Sequence, residues 1–445
     1  MGIARCGVGA AALAVLTAAQ PAAAIVLSED EIEDESTEIG AVARSFAFVM
    51  TGDVLEPPQA FEDTNPLGMG FFDARLYFTH RTPDLKLVVH NQFTLQMQSA
   101  ASSGLQGLGR AVSPPRWLPL GYSLDKPEDA PTLGLRTDAD WLYAAYTAGP
   151  VTVTVGRQPV SIGRGQLWTT SDRISMFSFT EVDKAYKPGV DALRLDYAPA
   201  ERTNLMIIAA IGELESQEHD AEVDLRGSSF LGQLKQGWEW GEAGLLGGMV
   251  RADGIAGLDA VLDLGELSLH GEVTATFLSD DSLSSPAIED RDVPVFEALV
   301  GATLRPADTL TLIPEVLYNG FGAWGAEDYL PIALSQRMDV GEQQGFGKLY
   351  AGMHTDWEVE PLTHLFSAML ANVHDPSALA LLGLRHNLSA NVDGVLGAYA
   401  PIGYEPDTQA LTELGTPPYS VQVPTPRSEF GSYPYFVFFE LKGVL

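Results

Sequence analysis

The chain has only one cysteine in 445 residues, Cys6, and this shortage excludes several chemistries. Cys6 lies in a segment that we expect to be removed on export, which leaves the mature chain without a thiol. A disulfide framework, a cysteine nucleophile and a cysteine-ligated metal site are therefore excluded.

Positive charge is also scarce, with 26 lysines and arginines against 59 aspartates and glutamates and a formal net charge of −33. Nucleic-acid binding needs a basic face, so we expect no nucleic-acid partner. Seven of the carboxylates crowd residues 29–38. Such charge blocks are usually solvated, so residues 25–43 are expected to form an acidic periplasmic leader, with partner docking as the alternative.

Long hydrophobic runs are missing as well, and the mean hydropathy is +0.05. A membrane-spanning helix would need a run of about 18 or more apolar residues. The first 24 residues combine Arg5, a short apolar run and the small residues Ala22, Ala23 and Ala24. This order predicts a secretory signal peptide over residues 1–24, with a short buried helix as the alternative.

What the chain has instead is alternation of apolar and polar residues. The clearest runs cover residues 85–98, 267–277 and 309–319. A helical period would place their polar residues within the apolar stripe, so the pattern favours β-strands that are apolar on one face.

The last residues of the chain follow the same pattern. Val437, Phe439 and Leu441 share one parity, and Glu440 and Lys442 occupy the other. In lipid every strand edge needs a partner, so we expect this strand to pair with the first one and close a barrel. We also expect the barrel assembly machinery to engage the chain through this strand.

All such runs together indicate about eighteen strands, with sixteen as the alternative. The expected starts lie near Arg44, Ala74, Leu85, Ala139, Val151, Val190, Thr203, Ser228, Glu239, Ile255, Leu267, Val293, Thr309, Gly347, Thr363, Pro376, Asn391 and Tyr433. Short and long links alternate between them, as in bacterial outer-membrane barrels. Residues 44–445 are thus predicted to form an all-β, antiparallel up-and-down transmembrane barrel with short periplasmic turns and long extracellular loops. Its surroundings would be the lipid and lipopolysaccharide of a Gram-negative outer membrane.

If the apolar parity faces lipid, the opposite parity lines the lumen. The residues that we expect to line it are Arg75, Lys86, His90, Arg194, Lys235, Glu272, Glu297, Arg305, Glu315 and Lys348. A wall of mixed charge can hold water and pass hydrophilic cargo. The alternative is a lumen that is plugged by ion pairs across the barrel.

Residues 157–189 form the most informative predicted loop. Val153 and Val155 would face lipid, and simple alternation would send Arg157 outward too, which is costly in hydrocarbon. The chain must therefore bulge or leave the wall near Gly156 and can fold into the lumen. The predicted constriction residues are Arg157, Arg164, Asp172, Arg173, Asp183 and Lys187. The alternative is an external loop that is held by local ion pairs.

At these residues the chain resembles a known family. Gly156-Arg157-Gln158 after a valine-threonine strand, Asp172-Arg173, and the run KPGVDALR over residues 187–194 are similar to the porins related to alginate-export proteins. Residues 372–377 and 387–392 resemble the C-terminal hairpins of that group. The resemblance implies an 18-stranded barrel, passive passage of cargo and an arginine-bearing lumen. Alginate exporters have a strongly basic channel, whereas the charges of this wall nearly balance.

The pattern as a whole predicts a porin-like outer-membrane channel for passive passage of hydrophilic solutes. A polysaccharide export pore and a non-conducting structural or adhesin barrel are the alternatives. A polysaccharide pore should carry stacked aromatic residues in its lumen, and Tyr77, Tyr350 and Tyr399 are too few to decide. The eight histidines are scattered and form no HExxH motif, so we expect no catalytic residue, no metal site and no cofactor.

Overall fold

The computed structural model describes residues 25–30, 34–51, 67–98, 114–124, 133–176, 186–214, 223–411 and 421–444. The expected signal peptide, residues 1–24, lies outside them. Strands form most of the described chain. They are β1 (Ile25–Asp30), β2 (Glu35–Thr51), β3 (Leu67–Arg81), β4 (Leu85–Gln98), β5 (Gly121–Leu124), β6 (Leu133–Ala148), β7 (Val151–Gln158), β8 (Val190–Ala200), β9 (Thr203–Ala210), β10 (Ser229–Trp238), β11 (Gly241–Val250), β12 (Asp253–Asp263), β13 (Leu267–Phe277), β14 (Val295–Ala307), β15 (Leu310–Tyr318), β16 (Leu349–Glu360), β17 (Thr363–Asn372), β18 (Ser377–Ser389), β19 (Val392–Ile402), β20 (Asp407–Leu411), β21 (Val421–Thr425) and β22 (Tyr435–Val444).

Eighteen of these strands form one closed antiparallel barrel: β2 to β4, β6 to β19, and β22. Each strand pairs with the next along the chain, and β22 pairs with both β19 and β2. The pairing between β22 and β2 runs from Val42 opposite Val444 to Thr51 opposite Tyr435. The predicted closure of the last strand on the first is thus confirmed, and so is the count of eighteen strands.

The connections alternate in length, as predicted. Short links join the strands at one end, which we call the short-turn end, and they cover residues 82–84, 149–150, 201–202, 239–240, 264–266, 308–309, 361–362 and 390–391. The opposite end, the long-loop end, carries the long connections and two short ones, at residues 251–252 and 373–376.

Some strands begin earlier than expected. β2 begins at Glu35 instead of near Arg44, so part of the expected leader belongs to the wall and the predicted boundary at residue 43 lies too late in the chain. β3 and β6 likewise begin at Leu67 and Leu133, ahead of Ala74 and Ala139. The added residues lie where apolar alternation is weak, because a strand that extends beyond the lipid needs no apolar face there.

The outer face of the barrel is apolar and the inner face is not. On β22, Val437 is 54% exposed and Phe439 is 38% exposed, whereas Phe438 between them is 1% exposed and Glu440 is 3% exposed. The same alternation recurs on the other wall strands. Exposed apolar side chains that cover a barrel on the outside form the band that contacts lipid.

Two short strands extend the wall where a barrel strand ends. β1 pairs with residues 35–39 of β2, beyond the C-terminal end of β22. β5 pairs with residues 135–138 of β6, beyond the end of β7.

Residues 319–348 contain the helices α1 (Tyr329–Ala333) and α2 (Gln336–Asp339). Among the described residues, no helix is long and apolar enough to cross a membrane.

Candidate channel interior

The inner parity of the wall carries the predicted lumen residues. On β3, Arg75 is 7% exposed while its neighbour Leu76 is 52% exposed. The same contrast with an exposed apolar neighbour holds for His90, Glu272, Glu297 and Glu315. Arg194 and Lys235 also follow exposed leucines, and Lys86 shares the parity of His90. Lys348 donates to the Gly320 carbonyl (2.7 Å) at the long-loop end, and Arg305 is exposed near the short-turn end.

Several inner cations have a carboxylate partner on the wall. The Arg75 guanidinium lies 2.8 Å from Asp140, and Nε of Arg194 lies 2.7 Å from Asp196. The His90 ring stacks on the Trp141 indole, with ring centroids 4.4 Å apart. These side chains line a wall of mixed charge without a large excess of either sign.

The chain leaves the wall just after Gly156. The φ angle of this glycine is +116°, and a Cβ atom there would lie 2.2 Å from the Leu142 carbonyl oxygen. Only glycine adopts this conformation readily. β7 ends two residues later, at Gln158, and the following residues turn into the barrel. The predicted departure from the wall near Gly156 therefore has a backbone cause.

Arg157 lies inside the wall and points to neither lipid nor lumen. Nε and Nη2 bond to the two oxygens of Asp191 (2.7 and 2.9 Å), and Nη2 also donates to the Leu118 carbonyl (2.6 Å). Nη1 approaches Asp138 at 3.3 Å, and the residue is 1% exposed. This position differs from the expected one at a constriction, because residues 114–124 continue the wall beyond β7 and cover the guanidinium.

Residues 159–176 fold into the barrel; we call them the inner loop. Val160, Ile162 and Ile174 pack on inward-facing residues of β8 to β12, including Ile208 and Leu231. Further along, Trp168 packs with Leu299, Leu317 and Leu370 of β14, β15 and β17. The inner loop thus follows the inner wall across these strands and does not lie outside the barrel.

Two wall carboxylates hold the inner loop by its backbone. Oε1 of Glu272 accepts from the amides of Arg164 and Gly165 (the latter at 2.9 Å), and Oε2 accepts from those of Thr170 and Ser171 (2.8 and 2.9 Å). Charge-assisted hydrogen bonds of this kind are stronger than neutral ones. The mid-strand position of Glu272 in β13 therefore fixes how deep the loop reaches.

Glu315 repeats this arrangement two strands away, on β15. Its oxygens accept from the amides of Gln166 (2.6 Å) and Leu167 (2.9 Å), and Oε1 also lies 2.8 Å from Nε2 of His270. Both carboxylates are 1% exposed. The negative charges of Glu272 and Glu315 are consequently satisfied by amides of the inner loop.

Arg164 of the inner loop pairs with carboxylates on the two strands that precede β13. Its Nε lies 2.7 Å from Asp259 of β12, and its Nη2 forms an ion pair with Glu242 of β11. The Arg164 side chain keeps 18% of its surface exposed and that of Glu242 keeps 37%. Among the predicted constriction residues that the structure describes, Arg164 therefore has the most exposed side chain.

The remaining predicted constriction residues fasten the loop. Arg173 forms an ion pair with Glu297 and donates to the carbonyls of Thr170 (2.9 Å) and Glu342 (3.0 Å). Burial lowers the pKa of Arg173 to about 10. Asp172 forms an ion pair with Lys187, and both are buried. Asp183 lies outside the described residues.

Two groups of inner residues escaped the sequence analysis, apart from Tyr399, which it had counted among the aromatic residues of the lumen. Arg116, in a long connection without a recognisable pattern, bridges Asp138 (2.5 Å) and Asp140 (2.7 Å).

The second group is a set of six aromatic rings on the inner parity of β2, β3, β19 and β22, which we call the inner aromatic cluster. Its members are Phe46, Phe48, Phe71, Tyr399, Phe436 and Phe438. The sequence could have revealed most of this cluster. Phe46 and Phe48 share the parity of Arg44 on β2, and Phe436 and Phe438 share the parity of Lys442 on β22.

No protein-family model and no curated protein matches the sequence. Solved structures do resemble the fold. OccK8 (OprE) of Pseudomonas aeruginosa matches with a TM-score of 0.52 and 8% identity over 92% of this chain and 98% of that chain. A variant of OccD1 (OprD) matches with a TM-score of 0.50 and 8% identity over 96% of this chain and 99% of that chain.

These likenesses show the fold at nearly full length in both directions. The chain is thus a closed 18-stranded antiparallel barrel that shares its architecture with these two structures. The predicted relation to alginate-export porins stays a prediction, because no family model and no curated protein matches the chain.

Proposed function

We propose that this protein is an integral outer-membrane channel of Gram-negative bacteria through which small hydrophilic solutes pass passively. The observation that carries the proposal is the contrast between the two faces of the closed wall. The outer face is apolar, and the inner face carries charged, amide and hydroxyl side chains. Such a barrel of eighteen strands encloses more space than its own wall side chains fill.

The inner loop determines the shape of the proposed channel. It covers the inner wall from β8 to β17 and brings Arg164, Asp259 and Glu242 together on its side of the lumen. We propose that solutes pass between this loop and the wall formed by β19, β22 and β2 to β4. Arg164 and Glu242 are the proposed constriction charges, and the buried pair of Asp172 and Lys187 has a fastening role. The proposal includes no catalytic residue.

Proteoliposome swelling tests this function. Refolded protein in liposomes is diluted into isotonic solutions of a pentose, a hexose and a disaccharide, and liposomes without protein give the background. A passive channel predicts swelling that is faster for the smaller sugars. A non-conducting structural or adhesin barrel predicts no swelling above the background with any sugar. A polysaccharide export pore predicts entry of longer oligosaccharides at rates close to that of the disaccharide.

A further inference from the structure

The inner aromatic cluster is an apolar surface on the wet side of the wall. Phe48 and Phe438 are 8% and 1% exposed, and Phe438 lies so close to Gly397 that a Cβ atom there would be 2.5 Å from the ring. These two rings form a lower layer against the wall. Phe46, Phe71, Tyr399 and Phe436 are only partly buried. The cluster thus keeps accessible ring surface.

The rings form a connected array. Phe46 and Phe438 stack with centroids 5.6 Å apart and planes 26° apart, and Phe48 and Phe71 stack at 6.1 Å. Phe436 lies 4.7 Å from Phe48 and 5.6 Å from Tyr399. Distances of 4.5–7 Å are those of favourable aromatic pairs. A flat apolar ring from a solute could therefore join the array at its partly exposed members.

Membrane insertion does not require these rings. The lipid face of the same strands is supplied by other residues, such as Val49 (52% exposed) and Val437 (54% exposed). Apolar surface turned toward water is unfavourable by about 25 cal/mol per Å². The partly exposed rings of the cluster therefore offer apolar surface that an apolar group of a solute can cover.

Cations lie just beyond the cluster toward the short-turn end. Arg44 precedes Phe46 by two residues on the inner parity of β2, about 7 Å away along the strand, and it is opposite Lys442 of β22. In its ion pair with Asp73 the Arg44 side chain is the more accessible member, 33% exposed against 11%. Lys442 is partly exposed, and its Nζ lies 5.8 Å from the centroid of the Tyr186 ring. Glu440, in contrast, is 3% exposed. Positive charge therefore faces the lumen here, while the carboxylates lie deeper.

We propose that this part of the inner wall is a binding subsite for small organic anions that carry a flat apolar ring. The ring rests on Phe46, Phe71 and Phe436, and the anionic group points to Arg44 and Lys442. This inference rests on the proposed channel function and specifies a class of solute that the channel selects. Attraction by ring contacts and by charge would raise the concentration of such solutes in the lumen.

Current block in planar bilayers tests the subsite with a matched pair of probes. Benzenesulfonate and methanesulfonate have the same anionic group, and only the first carries a ring. Trimethylanilinium carries the ring with the opposite charge. We expect benzenesulfonate to interrupt the current at a concentration about tenfold lower than methanesulfonate, since contacts with two or three rings contribute on this scale. Trimethylanilinium should block far more weakly than benzenesulfonate.

Two variants test whether the aromatic rings of the cluster cause the preference for benzenesulfonate. The double substitution Phe46→Leu with Phe71→Leu keeps apolar volume and removes two rings. The control is Phe439→Leu, which removes a ring from the lipid side of β22. Heat-modifiable gel migration checks that each variant folds. We expect the double variant to lose most of the ring preference and the control to keep it.

The outcomes are distinguishable. Steady current that both sulfonates block equally would overturn the subsite and leave the channel function intact. Equal block by trimethylanilinium, or a loss of ring preference with Phe439→Leu, would also overturn it. Silent bilayers with folded protein would overturn the proposed function and this inference together.

Discussion

Arg157 and Asp191 join β7 to β8 through two parallel hydrogen bonds, Nε to Oδ1 at 2.7 Å and Nη2 to Oδ2 at 2.9 Å. The pair lies at the point where the inner loop leaves the wall, and both residues are buried. Asp191 also accepts from the amides of Trp117 (2.8 Å) and Leu118 (2.7 Å). The two residues thus fasten a barrel strand, the start of the inner loop and the connection that covers them.

The substitution Arg157→Ala should therefore act on stability. It leaves Asp191 as a buried carboxylate without its main partner, which typically costs about 3–5 kcal/mol. We expect the variant to lose heat-resistant migration at a clearly lower temperature than the wild type. The control is Arg305→Ala, which removes an exposed arginine near the short-turn end. Equal melting of wild type and Arg157→Ala would contradict the assigned role.

The substitution Arg164→Ala should change ion preference. It removes the cation that neutralises Asp259 and Glu242, so two carboxylates gain effect in the lumen. We expect the reversal potential in a salt gradient to shift toward cation selectivity, because unpaired charges near a narrow passage act strongly on permeating ions. Arg291→Ala, in the exposed connection between β13 and β14, removes the same charge away from the lumen and should cause little shift. A shift of the same size in both variants would argue against an inner position for Arg164.

The substitution Glu272→Ala should loosen the inner loop. Four loop amides lose their acceptor, and each unsatisfied buried amide costs about 1–3 kcal/mol. The loop should therefore leave its position, and the single-channel current should become larger and noisier. Glu289→Ala, in the exposed connection between β13 and β14, is the matched loss of a carboxylate. Quiet currents of wild-type size in Glu272→Ala would show that Glu272 does not hold the loop.

Glu429 should make the connection before β22 sensitive to pH. Its Oε2 accepts from the Tyr350 hydroxyl (2.6 Å) and from Asn372 (2.9 Å), and Oε1 accepts from the Phe346 amide (3.0 Å). Burial raises the pKa of Glu429 to about 7. Between the ordinary glutamate pKa and about 7, the folded form holds a proton that the unfolded form has lost. The stabilising effect is therefore present at low pH and is lost as the pH rises through about 7.

Hydrogen exchange of the Phe346 and Phe430 amides measures this effect. In the wild type these amides should be better protected at pH 5.5 than at pH 8, after correction for the intrinsic exchange rate. In Glu429→Gln, which keeps the shape without the charge, the difference should disappear. The same pH dependence in both proteins would assign the effect to another group.

The wall could be predicted from the sequence, because lipid imposes a simple rule on it. A strand that faces hydrocarbon alternates over most of its length, so each of the eighteen barrel strands overlaps a predicted run. Even the weakly patterned strands near Glu239 and Pro376 are present as β11 and β18. The errors concern strand ends such as Glu35, since alternation is not required beyond the lipid.

The interior could be predicted only in part. The cost of an arginine in lipid correctly located the exit of the loop near Gly156. Nothing in the sequence indicated, however, that residues 114–124 cover Arg157 and that the Leu118 carbonyl accepts from its Nη2. The inner aromatic cluster escaped for a different reason. Phe436, Val437, Phe438 and Phe439 are apolar on both faces, so alternation of hydropathy is absent there. The parity of these rings relative to Glu440 and Lys442 nevertheless agrees with the faces that the structure shows, since Phe439 is 38% exposed and Phe438 is 1% exposed.

The most direct test of the channel claim is single-channel recording of refolded protein in planar bilayers, with heat-modifiable migration as proof of folding. A water-filled passage predicts steady current steps whose size rises with salt concentration. Folded protein that leaves the bilayer silent over a wide range of voltage would contradict the account.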